Sequence, residues 1–404
     1  SWVGLAYAFK WCWAPLVDRL PLPFLTRWLG RRRSWLLLSQ FLIMASLVGM
    51  ALSDPRTDLT LVVWCALAVA FASATQDIAL DAFRIESADV RHQGALAATY
   101  QTGYRLAMIW AGAGVLWIAA RAEVAPVAAV AGAAPGALYQ QAAWTTAYLV
   151  MAASMLVGVF TVLFSREPAH VVLPPSKNAA DWLRSALVEP FADFLKRYGK
   201  QAVLILALIG VYRISDVVMG IMANPFYVDM GYTKDEVAAV TKIYGVIMTL
   251  VGAFIGGALS LKLGVMRVLM LGAILSAASN LLFAWLAGHG HDVTALVLVI
   301  SADNLSAGVA SAAFIAYLSG LTNIQYSATQ YALFSSMMLL APKWLAGYSG
   351  AFVDAHDYPT FFMATAALGV PVLLLIWLAT RWLPVPQTGQ GVSPAPPPGS
   401  PATP

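Results

Sequence analysis

Eleven times along this chain about twenty residues pass with almost no charge, the length an α-helix needs to cross the hydrocarbon of a bilayer, and nothing constrains the fold more. In that solvent every backbone N–H and C=O must be bonded within its own segment, so each run is predicted to be a helix. The runs occupy 1–16 (short for a span), 34–52, 59–80, 96–119 and 143–164, and after a polar stretch 202–222, 237–261, 265–287, 293–318, 328–350 and 360–383. The predicted fold class is an all-α polytopic membrane protein. Composition agrees: 60% of residues are hydrophobic and 11% charged, with a mean hydropathy of +0.72, where soluble domains carry about a quarter charged residues. A water-soluble enzyme and a disordered polyelectrolyte are excluded.

Basic residues set the orientation. Alternate loops, with the segment before the tail, hold Arg19, Arg27, Arg31, Arg32, Arg33, Arg84, Arg91, Arg166, Lys177, Arg184, Lys196, Arg197, Lys200, Lys262, Arg267 and Arg381, whereas the other loops hold Arg56, Arg121 and Lys234. The first set is assigned to the cytoplasm by the positive-inside rule. Topology thus explains where the basic residues lie, and the net charge of +4 implies no nucleic-acid partner. With the C-terminus also cytoplasmic, eleven spans place Ser1 outside. One more helix upstream of Ser1 would restore two bundles of six, and the expected organisation follows. Residues 1–165 form a first bundle without its first helix, 166–200 a cytoplasmic central loop, 201–383 a second six-helix bundle and 384–404 a disordered tail rich in Pro, Gly and Ser. In the central loop Trp182, Leu183, Phe191, Phe194 and Leu195 alternate with charges, the pattern of a helix lying on a membrane surface. The stretch 121–141 is read as a loop. Cys12 and Cys65 lie in apolar runs and predict no disulfide.

Ionisable residues inside spans are costly and face a cavity or a partner, so they are where function is sought first. Asp77 and Asp81 are four apart, on one helical face, and two close carboxylates need not both ionise. That chemistry suits proton coupling; the alternative for Asp81, with Arg84 and Glu86 beyond it, is a solvated helix end. Gly103-Tyr104-Arg105 puts a cation in a span with no acid of its own. Arg213 and Asp216 are three apart and can pair. Asp303-Asn304 is the only acidic site in the last three spans, with Gln330-Tyr331 and Lys343 on the next helix able to face it. Lys10 and Lys242 complete the cations. A cavity of mixed sign suits a polar, partly anionic solute.

Between the first two spans, Asp18 precedes Arg31, Arg32 and Arg33, and such an acid beside a cationic loop can form a latch that breaks as two halves rock. A weaker echo, Gly256-Gly257 running to Lys262, Gly264 and Arg267, lacks the acid. Glycine-rich faces such as Gly252, Gly256 and Gly257 allow close helix packing. The five histidines lie in or beside loops without a ligand set, there is no phosphate-cradling loop, and no cofactor, metal or enzymatic constellation is predicted.

Several of these stretches, Lys10 to Arg19 (KWCWAPLVDR), Gln76 to Glu86 (QDIALDAFRIE), Gly103 to Ala107 (GYRLA), Tyr212 to Asp216 (YRISD), Asp303 to Gly308 (DNLSAG) and Ala328 to Ser336 (ATQYALFSS), resemble AmpG-type muropeptide permeases of the major facilitator superfamily, in order and spacing. The resemblance implies the major facilitator fold and proton-driven import of GlcNAc–anhydroMurNAc peptides from periplasm to cytoplasm across the bacterial inner membrane, for wall recycling and β-lactamase induction. It implies alternating access by two bundles, by a monomer whose partners are the muropeptide, protons and the lipid bilayer. Asp77, Asp81, Asp216 and Asp303 are then the proton-coupling candidates. Arg105, Arg213 and Lys343 would meet solute carboxylates, Tyr104, Asn304, Gln330 and Tyr331 sugar or amide groups, and Lys10 is a further substrate-binding candidate. Asp18 with Arg31, Arg32 and Arg33 would gate. The related acetyl-CoA carriers and a non-transporting sensor of wall fragments are the alternatives.

Overall fold

The computed structural model describes residues 6–7, 9–123, 140–169 and 178–382. The predicted tail, most of the predicted loop at 121–141 and the start of the first apolar run lie outside the described residues. The first half contains α1 (Ala14–Arg19), α2 (Leu25–Leu29), α3 (Arg31–Leu52), α4 (Leu59–Glu86), α5 (Gln93–Ile109), a π-helical stretch Trp110–Gly114, α6 (Val115–Ala122), α7 (Gln141–Ser154) and α8 (Leu156–Phe164). Two short helices, α9 (Ala179–Leu187) and α10 (Glu189–Tyr198), form the connection. The second half contains α11 (Gln201–Val211), α12 (Ile214–Asp229), α13 (Lys234–Val237), a π-helical stretch Ala238–Tyr244, α14 (Gly245–Leu263), α15 (Val265–Ala287), α16 (Val293–Leu321), α17 (Ser327–Ala346), α18 (Ser349–His356), α19 (Tyr358–Ala367) and α20 (Gly369–Trp382).

Local chemistry decides where the apolar helices begin. Asp58 accepts from the Leu61 N–H at the start of α4, and Asp292 accepts from the Thr294 and Ala295 N–H groups at the start of α16. Gly30 and Gly264, at the heads of α3 and α15, both have left-handed φ, +84° and +86°, which a side chain would oppose. The echo between the halves is therefore written in the backbone, although the second copy lacks the acid.

Nine helical segments among the described residues are long and apolar enough to cross a membrane, four in the first half and five in the second. The two other predicted runs differ. At 1–16 the described part includes a 3-10 turn, Lys10–Cys12, and the start of α1. At 328–350 the chain forms α17 and then α18, and Thr329, Gln330, Ser335, Ser336 and Lys343 make α17 more polar than the other long helices.

Within the halves, α3 packs along α4 and α7, and α16 along α14 and α15. The α14–α16 contact is backbone on backbone: a Cβ on Gly252 would fall 2.1 Å from the Leu305 carbonyl oxygen, and one on Gly308 2.2 Å from that of Thr249. Two seams join the halves, α5 against α14 and α16, and α17 against α1 and α4. Ala328 and Ala332 of α17 belong to the same buried cluster as Ala14, Val17, Ile78 and Ala82 of the first half. Of the amphipathic residues in the connection, Phe194 is buried in the second half's core, 5.2 Å from the Phe334 ring, while Leu183 and Leu195 are exposed.

Candidate functional site

The first seam cluster is built on α1, the head of α3 and the head of α17. Asp18 accepts from the Ala328 N–H at 3.2 Å, the Thr329 N–H at 2.8 Å and the Thr329 hydroxyl at 2.6 Å. It thus caps a helix of the opposite half, where free N–H groups and the helix dipole favour an anion. Arg32 is wholly buried and donates to Asp18 at 2.7 Å, to Glu86 at 2.6 Å, to Ser327 at 2.8 Å and to the Val17 carbonyl at 3.0 Å. Arg31 donates to the Asp18 carbonyl and lies 3.7 Å from Glu86. Arg33 lies apart from this group, its guanidinium donating to the Val162 and Leu163 carbonyls at the C-terminal end of α8.

A second cluster runs along α4. Lys10 forms an ion pair with Asp77 and lies 4.0 Å from Asp81. Tyr100 donates to Asp77 at 3.0 Å. Arg84 lies 3.4 Å from Asp81, donates to Gln93 at 2.9 Å and to Ser319 of α16 at 3.0 Å, and stands over the Tyr331 ring at 5.2 Å. Asp81 and Arg84 are buried and not a solvated helix end, whereas the Asp77 side chain keeps 24% of its surface open. The four charges Lys10, Asp77, Asp81 and Arg84 cancel.

In the second half Arg213 and Asp216 pair, each about one-quarter exposed. Asp303 accepts from the Ser279 hydroxyl at 3.0 Å and has no cation within ion-pair distance among the described residues. Asn304 accepts from the Thr249 hydroxyl at 2.9 Å, and Tyr244 bonds Ser301 at 2.9 Å. Gln330 turns to the connection instead: its amide is taken up by Arg197, Asp193, the Pro190 carbonyl and the Asn323 N–H.

The seam along α5 is closed at one end, where Gly94 and Ala98 meet Gly257, Ser260 and Ala253. Further along the same helix, Gly103 has open space where a Cβ would stand, and every residue from position 103 to 110 is exposed or half-exposed. The halves part there. Tyr104 is exposed, and Arg105 has a buried Nε with no hydrogen-bond partner. Lys343 is exposed and, like Arg105, makes no ion pair among the described residues. The side chain of Lys242 is outside the description. The halves are thus shut at the end that holds the two buried charge clusters and apart along residues 103–110, and the gap between them forms a cleft open at that end. No group of His, Cys, Asp and Glu among the described residues could hold a metal ion.

Sequence reasoning missed Glu86, Ser327 and Thr329 at the latch and Tyr100, Gln93 and Ser319 around Arg84. The i,i+3 spacing of Asp81 and Arg84 was the available signal for the second group. The partners of Asp18 on the opposite half, Ala328 and Thr329, lie 310 and 311 positions away, and nothing local marks them.

Residues 25–356 match the family described as MFS/sugar transport protein. A putative transporter AmpG 4 of Rickettsia conorii is 34% identical over 93% of this chain and 86% of its own length. The anhydromuropeptide permease of Escherichia coli K12 is 33% identical over 95% of this chain and 72% of its own. Among solved structures, the major facilitator transporter FucP in the outward conformation superposes with a TM-score of 0.67 at 15% identity, covering 93% of this chain and 89% of that one. The organic anion transporter MFSD10 superposes at 0.62, also at 15% identity, covering 93% and 82%. At that identity the likeness is one of fold.

Proposed function

The chain belongs to the AmpG-type permeases of the major facilitator superfamily, and from that membership we propose that it imports GlcNAc–anhydroMurNAc peptides together with protons, from periplasm to cytoplasm, across the bacterial inner membrane. The anhydromuropeptide is the solute named for the Escherichia coli relative. The basic-loop bias supports an orientation with the shut end, its latch and the C-terminus on the cytoplasmic side and the cleft facing outward. In this reading the monomer works by alternating access.

One observation carries the proton coupling: a single cation, Lys10, is shared by two carboxylates, and the outer of them, Asp77, is the less buried. Asp81 has Arg84 as a second cation, whereas Asp77 has only the shared Lys10 within ion-pair distance among the described residues, so a proton delivered through the cleft goes to Asp77 at least cost. Asp216 is already paired with Arg213, and Asp303 is a second carboxyl without a counter-ion among the described residues. Arg105 and Lys343, which make no ion pair among the described residues, are suited to the carboxylates of a peptide stem. Tyr104, which is exposed, offers a hydroxyl to sugar or peptide, whereas the Asn304 amide is engaged by Thr249 and the Ile300 carbonyl and Tyr331 is buried against Arg84. Gln330 is left out of this role because its amide is already engaged.

The test is uptake of labelled anhydromuropeptide by the protein in proteoliposomes under an imposed proton gradient. Accumulation that collapses with a protonophore supports the reading. Binding without accumulation moves it to a sensor, and uptake of acetyl-CoA instead moves it to the related carrier.

A further inference from the structure

Arg84 belongs to no part of the transport scheme so far, yet it is the point at which the charge cluster of the first half touches the second half. It projects from the last turn of α4, is buried, and reaches three kinds of partner at once. Its own half supplies the carboxylate of Asp81 at 3.4 Å and the amide oxygen of Gln93 at 2.9 Å. The opposite half supplies the Ser319 hydroxyl at 3.0 Å. Two rings, Tyr100 at 5.8 Å and Tyr331 at 5.2 Å, lie against the guanidinium, the second from α17. Its Nε has no partner. Asp81 is the one acid within ion-pair distance of Arg84 among the described residues.

We propose that Arg84 is a positioning residue that converts the charge state of Asp81 into opening or closing of the seam between the halves. This rests on the proton-coupled reading above and adds to it how the proton is felt across the molecule. While Asp81 is ionised, Arg84 is compensated and can spend its remaining donors on Gln93 and Ser319, holding α16 to the first half. A proton on Asp81 removes that compensation. The guanidinium is then a buried cation with only neutral acceptors and ring faces about it, an arrangement far more costly than a solvated cation. The way to solvate it is to part α16 from α5, because Ser319 and Tyr331 on the opposite half form part of its enclosure.

The groups that face Asp81 are Lys10 from the turn before α1, Asp77 and Arg84 from its own helix, Tyr100 from α5 and Tyr331 from α17. Lys10 is shared with Asp77, so a proton landing first on Asp77 frees Lys10 to compensate Asp81. The seam opens only when the proton moves inward. Arg84 cannot pass the signal as a bare point charge, since it needs one donor for Asp81 and another for Ser319 in the same fork. Lysine in its place therefore keeps the charge and loses the simultaneous contacts.

The experiment reads seam opening without any solute. With Cys12 and Cys65 replaced, spin labels at Asp89 of the first half and Gln325 of the second, both exposed, report the distance across the shut end as pH is lowered. The wild-type distance is expected to lengthen with acid. Arg84→Gln is expected to abolish the pH response, Arg84→Lys to blunt it, and Ser319→Ala, a milder change that keeps the fold if Arg84→Gln does not, to shift the midpoint. A response that persists unchanged in both Arg84→Gln and Ser319→Ala overturns the role of Arg84 while leaving proton drive standing. A wild-type distance indifferent to pH overturns this role, whereas proton coupling itself falls only if uptake survives the protonophore.

Discussion

The Asp18 carboxylate of the first half accepts both the backbone N–H and the hydroxyl of Thr329 in the second, at 2.8 and 2.6 Å, across 311 positions of sequence. One side chain thus caps a helix that belongs to the opposite bundle, and this contact adds to the Arg32–Ser327 and Arg84–Ser319 bonds that hold the shut end. Hydrogen bonds to a charged group contribute about 1.5–3 kcal/mol each. Asp18→Asn removes the charge, and the shut end should open more often by about tenfold or more, 1.4 kcal/mol being a factor of ten. Labelling of a cysteine replacing the buried Ala328 should accelerate accordingly. An unchanged labelling rate would show that the cap does not hold the seam.

Lys10 and Asp77 should respond as a pair. Lys10→Met alone leaves buried carboxylate without its shared cation, a change of the kind that costs about 3–5 kcal/mol, and thermal unfolding in detergent should fall clearly. Lys10→Met with Asp77→Leu should recover a large part of that loss, yet neither protein should accumulate solute under a proton gradient. Equal melting temperatures for the single and double variants would mean the pair is not coupled in the folded protein.

The free cations should reveal the charge of the solute. Arg105→Gln and Lys343→Gln should each raise the KM for an anionic anhydromuropeptide about 10- to 100-fold, the worth of one or two charge-assisted hydrogen bonds. For the same compound with its stem carboxylates amidated the two variants should match the wild type. An identical loss for both compounds would place the effect in folding and not in recognition.

Where two helices touch through their backbones, a single methyl group is decisive. Gly252→Ala and Gly308→Ala would each drive a Cβ to within about 2 Å of a carbonyl oxygen on the neighbouring helix, and overpacking of this kind costs about 1–3 kcal/mol. Both should melt lower. Gly220→Ala, in mid-helix with open space around it, should be neutral or gain up to about 1 kcal/mol. Indistinguishable melting for all three would refute the close approach of α14 and α16.

Much of this architecture was legible in the chain because the bilayer leaves so few solutions. Runs such as 265–287 and 293–318 correspond to α15 and α16 almost to the residue, since each must satisfy its own backbone. α17 is legible as a helix, but Gln330 near its head reads as a solute contact, because a polar residue in an apolar run carries no label telling which way it turns. Its occupants, Asp193 and Arg197, lie in the connection, and only the packed structure brings them there. Glu86 and Arg84 read locally as the wet end of a helix. The opposite half covers them, and a sequence cannot show what another half will cover.

The cancelling charges of Lys10, Asp77, Asp81 and Arg84 have an electrical consequence. A cluster that is neutral at rest feels no net pull from a transmembrane voltage; with one extra proton it becomes a unit positive charge, on which 100 mV acts with up to about 2.3 kcal/mol over the full thickness of the membrane. On the proposed proton-coupled reading, the same four residues would register both acidity on one side of the membrane and its polarisation, and an energised cell would pull on the loaded state twice.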